Sequence, residues 1–417
     1  MHYVMIAVGS AGDVLPLIEI GRNLRRRRHQ VTLIANTCFR ERTEQDGLSF
    51  VPLSTEEACQ VALEDKWILT TRYSAVFWQR HAVAWNATIY RLLINLDPST
   101  LVILTTDRPN VWADLAIHRE MDVPAFRLVL DLPALSGCAP LEGNGKVEGV
   151  QHALEQRWQE QWRIEARVLG LHVGNAHVPR LFRSTRARVP TIALWPGGFV
   201  PEIGAAQGVH KVGFILPANS KPRTGAAPMA VLGSGHVVFC LGTEGTTRVW
   251  HKRFIEESAK ICTRLLCRGI VLGGGDIDSS ERHLPSHLEW KVFEPLSVSL
   301  VGARAVVHHG GIGTAAAAIA HGVPQLILPR VFMQPVNAEW LRRLGVCTVL
   351  DPREYNSDSG VWHINKMVFS HNYTMRALEL AGQTDFCADM GYLCEVLETK
   401  SASFRSTRLL SVRCRGT

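Results

Sequence analysis

An apolar run from Tyr3 to Val8 meets a glycine turn, then an amphipathic stretch from about Leu15 to Arg27 and a second apolar run, Val31 to Ala35. The first run is apolar at every position rather than at alternate ones, which marks a strand covered on both faces. The middle stretch instead keeps apolar residues at helical spacing. Strand, helix and strand in that order make a βαβ unit, which commits the chain to a parallel sheet with helices packed on it. The pattern restarts later. Strand Val237 to Leu241 is followed by a glycine turn, a helix from about Trp250 to Cys267, strand Gly269 to Leu272, another glycine turn and strand Ala305 to His308. Further strands are predicted at Leu101 to Thr105, Ala125 to Leu130 and Thr191 to Leu194.

Between the two patterns, Pro217 to Gly235 is rich in Pro, Gly, Ala and Lys and breaks the periodicity as a linker would. A chain of 417 residues also exceeds one ordinary core. The expectation is two doubly wound α/β domains, residues 1–216 and 236–400, joined by 217–235 and followed by a flexible basic tail, 401–417. Ligands of such folds lie in the crevice outside the carboxyl ends of the strands.

Composition narrows the partners. The formal charge is +7, but Arg25 to Arg28 close the first predicted helix, where cations complement the helix C-terminus. Arg180, Arg183, Arg186 and Arg188 fall in a loop-like stretch, and neither run is interleaved with aromatics that would stack bases. No nucleic-acid partner is expected, and at most peripheral attraction to anionic membrane surfaces. The first residues lack a secretory signal pattern and no stretch of about 20 apolar residues would span a bilayer, so a cytoplasmic protein is expected. The ten cysteines include no CxxC pair, and no histidines cluster at zinc-ligand spacing, which points to free thiols and no metal. Seven of the eleven tryptophans (Trp67, Trp78, Trp85, Trp112, Trp158, Trp162, Trp195) lie in the first half, fitting either helical core packing or a hydrophobic acceptor pocket.

The segment that carries chemistry is Val306-Val307-His308-His309-Gly310-Gly311-Ile312-Gly313-Thr314, where a strand ends and an alanine-rich helix opens. Free N–H groups at a helix start behind glycines bind phosphate oxygens, with Thr314 adding a hydroxyl and His309 a donor. The same glycines would also serve a tight turn. Downstream stand Gly322-Val323-Pro324-Gln325, Pro329, Met333-Gln334 and Asn337-Ala338, and near the start Gly9-Ser10-Ala11-Gly12-Asp13-Val14-Leu15-Pro16-Leu17.

In that order these strings resemble the donor-binding signature and N-terminal turn of family 1 glycosyltransferases. With Val51-Pro52-Leu53 and Gly213-Phe214, the chain looks most similar within the family to the catalytic chain of bacterial rhamnosyltransferases of rhamnolipid synthesis. The resemblance runs along nearly the whole chain and is weak from about Glu56 to Arg188. It implies the GT-B fold, two Rossmann-like domains facing across a cleft, the first taking a small apolar acceptor and the second a nucleotide-sugar donor. Residue by residue, it implies Asp13 as the general base that takes the acceptor hydroxyl's proton, although a carboxylate there would also cap a helix. It implies His309, Gly311, Gly313, Thr314 and Thr243 at the diphosphate, Val292 and Phe293 at the base, and Gln334 and Met333 at the donor sugar. Asp107, after the strand from Leu101, is either a cleft residue or a turn residue.

Met333 departs from the family, which usually has Asp beside the glutamine, accepting hydrogen bonds from sugar hydroxyls. Methionine cannot accept them, so a fully hydroxylated hexose would leave donors unpaired. The departure fits a deoxygenated donor such as a 6-deoxyhexose, a rearranged site, or a catalytically impaired homologue that binds nucleotide sugar or supports a partner enzyme. Displacement by an activated hydroxyl inverts the anomeric centre, and neither a metal nor another cofactor is implied. A nicotinamide dehydrogenase fits poorly, because Gly9 to Asp13 lacks the GxGxxG spacing and Gly273-Gly274-Gly275-Asp276 opens no clear helix. A sugar-nucleotide epimerase would share the fold but not the acceptor.

Overall fold

The computed structural model describes residues 1–53, 84–106, 113–130, 189–199, 209–216, 235–242, 248–273, 284–292, 294–330 and 333–413. Two all-parallel sheets organise them. The first joins β1 (His2–Ile6), β2 (Gln30–Ala35), β3 (Ser49–Pro52), β4 (Leu101–Thr106), β5 (Ala125–Val129), β6 (Thr191–Ala193) and β7 (Val209–Lys211) in the order β3-β2-β1-β4-β5-β6-β7. The second joins β8 (His236–Cys240), β9 (Gly269–Leu272), β10 (Leu288–Lys291), β11 (Ala303–His308), β12 (Gln325–Ile327) and β13 (Cys347–Val349) in the order β10-β9-β8-β11-β12-β13.

The unbroken apolar strands are explained by burial on both faces. Tyr3, Met5 and Ala7 enter one core cluster while Val4, Ile6 and Val8 enter another. In the second sheet Val237, Phe239 and Leu241 likewise face away from Val238 and Cys240. The strand order reverses between β1 and β4 and again between β8 and β11. Each reversal leaves a crevice at the carboxyl ends, because the connections on its two sides run in opposite directions.

The first helix, Ala11–Arg26, begins four residues before the predicted Leu15. Ser10 is its N-cap, and the Ser10 N–H donates to Asp13 Oδ2 at 2.9 Å, which satisfies a terminal donor and pulls Asp13 into the first helical turn. Asp13 therefore sits on a helix, just past the strand tip where the sequence reading puts it.

A larger difference lies at the other end. The expected flexible tail from Ser401 is helical as far as Arg413, part of the helix Met390–Arg413, and that helix packs on the first sheet rather than the second. The chain crosses back where the Phe214 N–H donates to Phe386 O (2.8 Å) and the Ala388 N–H to Phe214 O (2.9 Å), beside a cluster of Trp195, Phe199, Phe214 and Phe386. Leu393, Cys394 and Leu397 then bury against the cluster of Tyr3 and Met5. Glu398 accepts from Arg27 Nε (2.8 Å) and Nη2 (2.7 Å), and its Oε1 lies 2.7 Å from His29 Nε2. Ser401 is fully buried, and the Arg405 guanidinium donates to the carbonyls of Pro98, Ser99 and Leu101 at the start of β4. Part of the basic run after Arg25 thus serves this docking, a use that residue counting does not reveal.

Of the tryptophans noted in the first half, Trp85 and Trp195 are buried in core clusters, and the other five lie outside the described residues. Nearly all of the predicted linker, residues 217–234, also lies outside them.

Candidate functional site

Three loops leave the second sheet side by side. His308, the last residue of β11, pairs with Cys240 of β8 on one side and Ile327 of β12 on the other, so the segments that follow these strands start at one level.

His308 braces the middle loop. It is fully buried, its Nδ1 accepts the Gly310 N–H at 3.2 Å, and its Nε2 donates to Gln325 Oε1 at 3.0 Å. Burial pushes its pKa down to about 3, so the ring is neutral and both nitrogens have fixed roles. From the opposite side Asn337 Nδ2 donates to Gly310 O at 3.2 Å. Gly310 has φ = +92°, a conformation that residues with a Cβ avoid.

His309 is held between two glycines. A Cβ added to Gly242 would fall 2.6 Å from its Cε1, and one added to Gly311 would fall 2.5 Å from its Nε2. Its Nδ1 lies 3.5 Å from Cys240 O. A carbonyl only accepts, so Nδ1 carries the proton and Nε2 presents its lone pair. Burial, with a smaller contribution from the charge of Arg330, pushes the pKa of this ring down to about 4.

The helix Ile312–Ala320 then begins with Gly311 as an N-cap that offers no side-chain acceptor. The first bond of the helix runs from the Ala315 N–H to Gly311 O (3.0 Å), so the N–H groups of Ile312, Gly313 and Thr314 have no intrahelical acceptor. A Cβ added to Gly313 meets nothing within 4 Å, so the first helical turn has open space beside it at this position. Together these N–H groups present the positive end of the helix dipole.

The loop after β12 brings Arg330, which the sequence reading does not single out. Its guanidinium carbon stands 5.2 Å from the centre of the Trp250 ring, and burial lowers its pKa to about 10. The Arg330 N–H donates to Gln334 Oε1 at 2.9 Å. Gln334 is buried, and its carbonyl oxygen takes part in this turn. Met333 is the N-cap of the helix Gln334–Arg343 and supplies no side-chain cap. Its carbonyl oxygen accepts the Asn337 N–H at 2.8 Å.

Among the remaining expected residues, Val292 is 56% exposed beyond the end of β10. Thr243, Phe293 and Asp107 lie outside the described residues. Asp13 is buried in the first turn of the helix that follows β1, with Oδ2 on the Ser10 N–H. Among the described residues, no group of three or more His, Cys, Asp or Glu side chains could hold a metal ion, and no helix is long and apolar enough to cross a membrane. The structure therefore brings His309, Gly311, Gly313 and Thr314 together and adds His308, Asn337 and Arg330. Asn337 was visible as part of a motif, whereas a lone arginine after Pro329 carries no sequence signal.

Family models match a segment in each half of the chain. Residues 3–102 match the glycosyltransferase family 28 N-terminal domain, and residues 270–387 match the C-terminal domain described as erythromycin biosynthesis protein CIII-like. The O-mycaminosyltylonolide 6-deoxyallosyltransferase of Streptomyces fradiae is 24% identical, over 83% of this chain and 84% of its own length. The calicheamicin glycosyltransferase CalG4 has the same fold, with a TM-score of 0.69 at 19% identity, covering 95% of this chain and 97% of that one. The spinosyn rhamnosyltransferase SpnG, solved with thymidine diphosphate, gives a TM-score of 0.64 at 17% identity, covering 95% and 100%.

Proposed function

The chain is a glycosyltransferase of the two-domain GT-B type, and on that premise we propose that it moves a deoxygenated hexose from a thymidine-diphosphate donor to a hydroxyl of a small apolar secondary metabolite. The observation that carries this reading is the uncapped start of the helix Ile312–Ala320, open at Gly313 and flanked by His309, at the strand-order reversal of the second sheet. The names of the S. fradiae relative, a 6-deoxyallosyltransferase, and of the thymidine-diphosphate-bound rhamnosyltransferase support the choice of donor.

Asp13 accepts the proton of the acceptor hydroxyl as its oxygen forms the new bond to the anomeric carbon. The bond from that carbon to the diphosphate breaks with its electron pair on the leaving oxygen, and attack from the opposite face inverts the centre. Donors at the helix start stabilise the charge on the leaving group, while the two domains hold the substrates in line. Protein donors fill the role of a divalent metal, so the reaction proceeds in chelator. Met333, whose thioether is only a weak hydrogen-bond acceptor, favours a sugar with fewer hydroxyls.

Mass spectrometry of products from a panel of nucleotide sugars and apolar alcohols tests this. The expected product is a deoxyhexoside of a polyketide-like acceptor. Rhamnosyl transfer to a hydroxylated lipid is the second product to seek, because of the Gly9 to Leu17 turn. Transfer from UDP-glucose as efficient as from a dTDP-6-deoxysugar would refute the donor assignment. Tight nucleotide-sugar binding without any product would favour the impaired homologue.

A further inference from the structure

We propose that Arg330 is a diphosphate ligand, the cation that meets the charge arriving on the leaving group when the sugar departs. The proposal rests on the glycosyl-transfer reading and adds to it a residue outside the glycine-rich motif.

Placement comes first. Arg330 follows β12 by three residues, on the strand next to β11, in the loop beside the one that carries His309. Its guanidinium lies against Trp250, and that ring is itself fixed by Phe254 (6.2 Å between centres) and Tyr355 (6.3 Å). An arginine stacked on an anchored aromatic has lost much of its rotamer freedom, and its planar fork suits two phosphate oxygens at once.

Several arginines of the second half have carboxylates: Arg342 and Arg343 share Glu339, Arg264 has Asp358, Arg353 has Asp351 and Arg376 has Glu379, whereas Arg253 donates to the carbonyls of Arg353 and Tyr355. Arg330 is half-buried and has no carboxylate within ion-pair distance among the described residues. Its titratable neighbours His309 and His251 supply no negative charge, and burial together with the Arg330 cation lowers the pKa of both rings. A partly desolvated cation without a counter-ion is costly unless an anion completes it. Breaking the bond from the anomeric carbon puts an electron pair on the diphosphate, which supplies that anion at the moment of reaction.

Calorimetric titration with thymidine diphosphate and thymidine monophosphate tests the assignment on the full chain. Arg330→Met should weaken the diphosphate about 30-fold, about 2 kcal/mol at tenfold per 1.4 kcal/mol, and the monophosphate much less. Arg330→Lys, which keeps the charge, should fall between the two. The thermal midpoint of Arg330→Met should match or exceed the wild type, since a half-buried cation with no carboxylate partner among the described residues is removed. Equal diphosphate affinity in wild type and Arg330→Met overturns the proposal and leaves the function reading standing. A wild type that binds no nucleoside diphosphate overturns that reading, and this assignment with it. Should Arg330→Met not fold, Arg330→Lys and Arg330→Gln carry the comparison, and unchanged affinity in both overturns the proposal equally.

Discussion

The imidazole of His309 occupies the space that a side chain on Gly242 would need, 2.6 Å from Cε1 to the position of an added Cβ. The ring is neutral in the free protein, with a pKa near 4 set mainly by burial. A bound diphosphate favours the protonated ring and raises that pKa in the complex. Proton uptake on binding then occurs at any pH between the two values, and affinity strengthens as pH falls from the pKa of the complex toward about 4, by up to about tenfold per pH unit. Calorimetry of nucleoside diphosphate binding in buffers of different ionisation enthalpy should detect the uptake in wild type. It should be missing in His309→Gln, and identical proton linkage in both would remove His309 from the site.

Gly313→Ala separates binding from folding. An added methyl meets nothing within 4 Å, and the position is helical, so stability should rise by about 0.5–1 kcal/mol. The methyl enters the space assigned to the diphosphate, so donor affinity should fall by about tenfold or more. Thermal melts with and without nucleotide measure both effects, and unchanged affinity would move the diphosphate elsewhere.

Met333→Asp should act in two ways. At the start of the helix Gln334–Arg343 an aspartate places a negative charge at the positive end of the helix dipole, a gain of about 0.3–1 kcal/mol. The same carboxylate offers an acceptor for sugar hydroxyls, so turnover with a fully hydroxylated hexose donor should increase relative to the 6-deoxy donor. Kinetics with the two donors decide the point, and an unchanged ratio would mean that residue 333 does not read the sugar.

The sheets were legible because buried parallel strands need apolar residues at every position, as Tyr3 to Val8 and Val237 to Leu241 have. The glycine loop was legible because glycine is required where His309 packs against Gly242 and Gly311. The brace formed by His308 was not, since a buried histidine and a ligand histidine read alike until their partners are known. Arg330 and the docking of the C-terminal helix on Arg27 were hidden for a related reason: both depend on residues brought together by the fold across long stretches of sequence.

Glu398 gives that docking a pH dependence. Its pKa is lowered to about 2, chiefly by hydrogen bonds from Arg27. A carboxyl depressed in the folded state stabilises above its unfolded pKa of about 4.3, and the contribution disappears as pH falls toward the folded value. Glu398→Gln should therefore lower the thermal midpoint at neutral pH, with the difference from wild type shrinking as pH drops through 4. Hydrogen exchange should place the loss in the helix Met390–Arg413, and protection there equal to wild type would contradict it.

Acceptor-dependent release of nucleoside diphosphate, compared between wild type and Asp13→Asn, tests the central claim most directly. Asparagine can still accept the Ser10 N–H through its carbonyl oxygen, so the first helix and the nucleotide affinity should be preserved. Loss of the base should reduce turnover by about 10²- to 10⁴-fold. Turnover in Asp13→Asn within a few-fold of wild type would show that the acceptor proton goes elsewhere and would contradict the mechanism.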